Sequence, residues 1–134
     1  MIRKETLVAL GLASAILAPS AALSHWAYTG AMTKAEILSK VIGNSVTGTT
    51  SSGSTYAEYY TSDGVVHGID SKSGKYKAKW SIRDDDLMCW AAASDNKIEG
   101  CVLLILSGDT IVYQLIDGST EGPVKLLLGN PKGL

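Results

Sequence analysis

The nine residues GKYKAKWSI, at positions 74–82, alternate almost without exception. Tyr76, Ala78, Trp80 and Ile82 share one parity, and Lys75, Lys77, Lys79 and Ser81 the other. Successive side chains of a strand leave opposite faces, so this period of two marks a strand that buries its aromatic face and carries three lysines into water. A strand with one wet face belongs to an antiparallel sheet, because parallel sheets are covered on both sides. Further β-rich segments follow the same rhythm at 45–50, 55–61, 65–69, 87–92, 102–106, 111–116 and 124–128. Between them stand turn formers, including Ser62-Asp63-Gly64, Ser107-Gly108-Asp109 and Asp117-Gly118.

Seven or eight short strands joined by tight turns describe an antiparallel meander. The predicted fold is mainly β: a small antiparallel β-barrel of lipocalin or calycin type, since closure removes exposed edges, with a strongly bent open sheet as the alternative. The 102–106 segment is apolar on both faces, which suggests the barrel interior on one side and a covering helix on the other. Tyr56, Trp80, Ile82, Leu103 and Ile105 are the expected inward residues of a barrel small enough for side chains to fill. One short helix precedes the strands. Thr33-Lys-Ala-Glu36 is a capping box, Ile37, Leu38, Val41 and Ile42 form an apolar face, and Gly43-Asn44 stops it.

The first 24 residues read as a secretory signal peptide: Arg3 and Lys4, an apolar run from about Leu7 to Ala18, Pro19, then small residues. Cleavage fits after Ala22 or after Ser24. The run is shorter than the ~20 apolar residues a spanning helix needs, so no membrane span is expected after processing. Residues 25–32 then form a flexible lead, with His25 at its start, and 33–134 a single domain. Removing Arg3, Lys4 and Glu5 from 12 basic and 13 acidic residues leaves 10 and 12, a formal charge of −2. That balance offers no footprint for nucleic acid. Export to the periplasm or beyond makes a disulfide the expected state of the two cysteines, Cys89 and Cys101, whose flanks read as neighbouring strands.

Catalytic chemistry is sparse. The run Arg83-Asp84-Asp85-Asp86 lacks the spacing of a calcium loop and reads as a polar turn. His67 could pair with Glu58 across a hairpin, yet no serine–histidine–acid order and no placed carboxylate pair is present. No catalytic residue, metal or cofactor is therefore assigned. Recognition is better supported: Tyr56, Tyr59, Tyr60, Trp80, Trp90 and Tyr113 could line a cavity or rim, and in a chain without Phe they must also fill the core. The stripe Lys75, Lys77, Lys79 could dock an anionic partner, or simply guard a strand face from aggregation.

The segments YAEYYTSDGVVHG, GKYKAKWSI and LMCW with a second Cys resemble a group of small exported bacterial proteins of unknown function. That resemblance spans about Ile42 to Leu134 and implies a secreted β domain. Ser52-Gly53-Ser54-Thr55-Tyr56 is similar to the S-G-x-x-Y motif of periplasmic C-type lysozyme inhibitors, which implies that Ser52, Gly53 and Tyr56 belong to an inhibitory loop, with a lysine from 72–79 beside them. Three readings follow: a non-catalytic exported binding or interaction module whose partner, an envelope protein or a small apolar ligand, the sequence leaves open; an inhibitor of a cell-wall hydrolase; and a small-ligand carrier.

Overall fold

Turn residues set the course of the chain. The computed structural model describes residues 30–134; the expected leader, its cleavage sites and His25 lie outside them. Eight antiparallel strands follow one another: β1 (Ser45–Thr49), β2 (Thr55–Tyr60), β3 (Val65–Asp70), β4 (Gly74–Ile82), β5 (Met88–Ala92), β6 (Ile98–Ser107), β7 (Thr110–Gln114) and β8 (Thr120–Leu127). Each pairs with its neighbours in sequence, and β1 meets β8 through Ser45↔Leu127, Val46↔Leu126 and Thr47↔Lys125, so the sheet closes into a barrel. The strands of 102–106 and 124–128 begin four residues earlier than their apolar runs. The extra residues, Ile98–Cys101 and Thr120–Pro123, are mostly polar or small, and a register shift between Ile111 and Tyr113 accommodates Pro123 in β8.

The helix α1 (Lys34–Lys40) opens with both bonds of the capping box: Glu36 N–H donates to Thr33 Oγ1 (3.2 Å) and Thr33 N–H to Glu36 Oε2 (2.8 Å). Gly43, at φ +87°, ends the turn in the left-handed region. Ile37 and Val41 are buried among Val46, Tyr60, Val66, Met88, Leu104, Ile111 and Val124, which come from seven of the eight strands. The helix thus plugs one end of the barrel, and does not cover the outer face of β6 as expected. Leu38, counted on its apolar face, is 45% exposed, because a position one residue from Ile37 is turned about 100° around the axis.

The edge of β6 beyond β5 is met by the chain just before the helix. Ala31 bridges to Ile105, and Met32 N–H donates to the Leu104 carbonyl (2.8 Å), where β5 no longer reaches. Ala31 and Met32, within the expected flexible lead, are thus bonded to β6. Leu104 and Leu106 pack into the barrel core, and Leu103 packs outside with Leu87 and Cys89, the reverse of the expected parity. An unbroken apolar run carries no parity signal, and a shift of one residue exchanges the faces.

The turn 83–86 ties helix to barrel. Asp86 is the one non-glycine residue at positive φ (+71°) among the described residues, and its Oδ1 accepts the Lys34 N–H at the helix start (2.7 Å). A carboxylate there meets an unpaired amide and the positive end of the helix dipole. Asp84 faces Lys34 Nζ at 3.2 Å and Asp85 faces Arg83 at 2.7 Å. The Asp run is a turn, as expected. Cys89 and Cys101 sit directly opposite each other, with Cα atoms 4.0 Å apart, and form a disulfide. It lies one pair from Met88↔Val102, where β6 leaves β5 for Ala31 and Met32. Replacing both cysteines by alanine should lower stability by about 3 kcal/mol through loss of loop closure, read as a lower urea midpoint in non-reducing buffer.

Candidate functional site

The plugged end accounts for only part of the interior. Above Tyr60, Val66 and Met88 the barrel holds a cavity of about 710 Å³ that opens at the far end, between the β1–β2 and β3–β4 loops on one side and β8 on the other. Its walls carry Tyr56, Glu58, Tyr76, Trp90, Tyr113 and Glu121. Five follow from strand parity, and Glu121, of opposite parity to the inward Val124, is brought in by the register shift between β7 and β8 that sets it opposite Tyr113. Tyr56 and Glu58 share the inward face of β2 with Tyr60, and Tyr76 shares that of β4 with Ala78, Trp80 and Ile82.

Glu58 is the chemical centre of the cup. Its Oε2 accepts from the Tyr60 hydroxyl and its Oε1 from the Tyr76 hydroxyl, each at 2.7 Å. Among the described residues it forms no ion pair. The reach of Tyr76 depends on a gap in the wall. Glu58, Gly68 and Tyr76 lie in line across β2, β3 and β4, and a Cβ on Gly68 would overlap the Tyr76 ring. The ring crosses β3 over the missing side chain to meet the carboxylate. Tyr56 is placed in the same way over its partner Gly48, where a Cβ would stand 3.0 Å from the Tyr56 hydroxyl oxygen and 2.8 Å from Val124 Cγ1.

Trp90 and Tyr113 meet edge to face, ring centres 6.0 Å apart and planes at 86°. The Trp90 indole N–H is buried and makes no hydrogen bond of ordinary geometry, although it lies near enough to the Tyr60 hydroxyl to offset part of that group's shift. Burial and the negative charge of Glu58 push the Tyr56 hydroxyl up to about 12, with Glu121 adding to it. Burial, then Glu58, holds Tyr60 and Tyr76 well above the usual value near 10. For Tyr113 burial comes first, followed by Tyr56, Glu58, Tyr76 and Glu121.

The rim is stitched on one side. Asp70 accepts from the Lys72 and Ser73 amides (2.8 and 3.0 Å) and from Ser54 Oγ (3.0 Å), and these bonds, the amides foremost, hold its carboxyl below the usual carboxylate value. Lys72 Nζ donates to the Ser52 carbonyl (2.8 Å), which joins the two loops.

The residues singled out from sequence fall in different places. Ser52 and Gly53 are exposed at the rim, whereas Tyr56 turns into the cup. Tyr60 and Trp80 belong to the core beneath it, and Trp80 donates to the Thr61 carbonyl (2.8 Å). Trp90 lines the wall. Tyr59 stands on the outer face of β2 between Ser45 and His67. Lys75 and Lys77 are exposed outside the barrel, and Lys79 donates to the Asn96 side chain (2.9 Å). The His67–Glu58 pairing is not formed, since Glu58 points inward and its β3 partner is Gly68. Sequence reasoning missed Glu58, Tyr76 and Glu121 as neighbours in one cavity. The usable signal was the placement of Gly48 and Gly68 in strands that lie beside tyrosine-bearing ones.

Among the described residues no group of three or more His, Cys, Asp or Glu side chains could hold a metal ion. Neither a scan of protein-family models nor a search of curated proteins returns a match to this chain.

Two outcomes follow from the tyrosine–carboxylate network. A raised folded-state value means that the proton is held more tightly folded than unfolded, so this stabilisation is full below pH 10 and is lost as pH rises through the folded values. Phenolate absorbance should show Tyr56, Tyr60, Tyr76 and Tyr113 still protonated at pH 10 in the native protein, with stability falling from pH 10 toward about 12. Gly68→Ala should displace the Tyr76 ring and break its bond to Glu58, costing about 1–3 kcal/mol in thermal or urea unfolding, where alanine in an ordinary strand would be neutral or better.

Proposed function

We propose that this protein is an exported, non-catalytic binding barrel that takes a small organic ligand into the cup above Glu58. The observation that carries the reading is a cavity of about 710 Å³ walled by four aromatic side chains and open at one end only. Its size falls within the ~300–1,000 Å³ of small-molecule sites, which combine apolar walls with a few placed polar groups. Here those groups are the Glu58 carboxylate and the tyrosine hydroxyls. The disulfide supports an oxidising compartment, in keeping with export.

The carrier reading is favoured over an inhibitory loop because Tyr56 of the Ser52–Tyr56 motif has its ring inside the barrel, over Gly48. It is favoured over a docking stripe because Lys75 and Lys77 border a smaller pocket of about 490 Å³ outside the cup, where Tyr76 is the one tyrosine or tryptophan in the lining. The neutral fluorophore N-phenyl-1-naphthylamine should bind one molecule per chain with enhanced emission. Val102→Trp, which fills the cup from β6, should abolish the signal while the protein remains folded. Equal signal from both proteins, or none from either together with no small molecule retained in native mass spectrometry, overturns the proposal.

A further inference from the structure

Every charged side chain that lines the cup is acidic: Glu58, Asp70 and Glu121, with no lysine, arginine or histidine among them. Asp70 is committed to the Lys72 and Ser73 amides and to Ser54. Glu121 stands opposite it on β8, paired with Tyr113 across the sheet. Glu58 lies below both and is met only by neutral donors, the hydroxyls of Tyr60 and Tyr76. A carboxylate drawn into a protein interior ordinarily finds a cation or several hydrogen-bond donors, because its desolvation is otherwise uncompensated. Two tyrosine hydroxyls meet part of that need, and further acceptor positions on its oxygens stay open toward the cavity.

The aromatic walls have the same electrostatic sense. Tyr56, Tyr76, Tyr113 and Trp90 surround the space, and the face of an aromatic ring is the negative end of its quadrupole. The cup therefore has a carboxylate at its base, a second at its mouth and π-rich sides. Glu58 raises the proton affinity of all four tyrosines on or beneath the walls, and Glu121 that of two, so the negative potential extends through the lumen.

We infer that the ligand of the cup is a small organic cation, an amine or quaternary ammonium with an apolar body, and that Glu58 is its counter-ion. The inference rests on the binding reading above and narrows it to one chemical class. A bare metal ion fits poorly: both Glu58 oxygens already accept from tyrosines, no third acidic or nitrogen ligand is gathered around them, and the space exceeds what one ion fills. An organic ammonium uses the room for its body and the rings for its charge, the arrangement by which aromatic cages hold quaternary ammonium groups.

The test compares two compounds of the same shape. Benzyltrimethylammonium and its uncharged carbon isostere, neopentylbenzene, compete with bound N-phenyl-1-naphthylamine on the intact protein, with phenylacetate as the anionic control. The cation should displace the fluorophore at a concentration at least about tenfold lower than the isostere, and phenylacetate should be the weakest. Glu58→Gln keeps the shape, its amide oxygen accepting from one tyrosine hydroxyl and its NH2 donating to the other, and should collapse the ratio toward one. Should that variant fail to fold, Glu121→Gln at the mouth should reduce the ratio in part, and the wild-type comparison stands without either. Equal displacement by cation and isostere, or stronger displacement by phenylacetate, overturns the charge assignment and leaves the binding cup intact. Failure of the fluorophore itself to bind sinks the cup, and the cation with it.

Discussion

Everything in this molecule depends on the pairing of β1 with β8. Three residue pairs join the first strand to the last and leave no edge along the barrel's circumference. Among the eight strands this is the one pairing that the turns do not impose, since each hairpin fixes only its own two strands. Side chains flank the seam on the inner face, where Val46 and Val124 are buried. The chain beyond β8 ties it again, with Ser45 Oγ bonded to the Gly129 carbonyl (2.7 Å) and the Gly129 amide to Asn44 (2.7 Å). Closure turns eight amphipathic strands into an inside and an outside, and only then does parity decide which residues can form a site.

The two halves of the interior are built on different rules. Toward the helix, branched and long aliphatic side chains fill the space together with Tyr60, as dense packing in a small barrel requires. Toward the open end, Gly48 and Gly68 take positions where side chains would meet the rings, and tyrosines from neighbouring strands lie across them. A tyrosine laid along the wall covers backbone yet projects less into the lumen than one standing upright. The same two glycines therefore hold the cavity open and steer the hydroxyls, Tyr76 onto Glu58 in particular. Lack of phenylalanine suits this design, because every large ring placed here brings a hydroxyl or an indole N–H with it.

Much of the architecture was legible in the chain. Strict alternation in 74–82 marked the faces of β4, Asp63-Gly64 and Asp117-Gly118 marked turns, and Thr33 with Glu36 marked the helix start. The disulfide was legible from two cysteines on neighbouring strands. Where local pattern ran out, so did legibility. Leu103, Leu104 and Ile105 offer no contrast between faces, and the presence of Ala31 and Met32 against β6 is a tertiary fact with no local mark. Glu58 was hidden for a related reason: Tyr59 on the outer face obscures the alternation of Tyr56, Glu58 and Tyr60, and an acid on an inward face contradicts the usual pattern. Only the cross-strand alignment of Glu58, Gly68 and Tyr76 explains why it is there.

The helix plug has one more consequence. With Ile37 and Val41 seated in the barrel end and Asp86 holding the helix start, the described residues close the interior there and leave it open at the far end. Such a shape is a vessel and not a conduit. Entry and exit share one rim, between the joined loops 50–54 and 71–73 and the loops 93–97 and 115–119, where Asp95 and Asp117 accept from the Lys97 and Ser119 amides. The bonds that join the rim loops and those that hold Glu58 at the base share no side chain, so the doorway can be altered without disturbing the base.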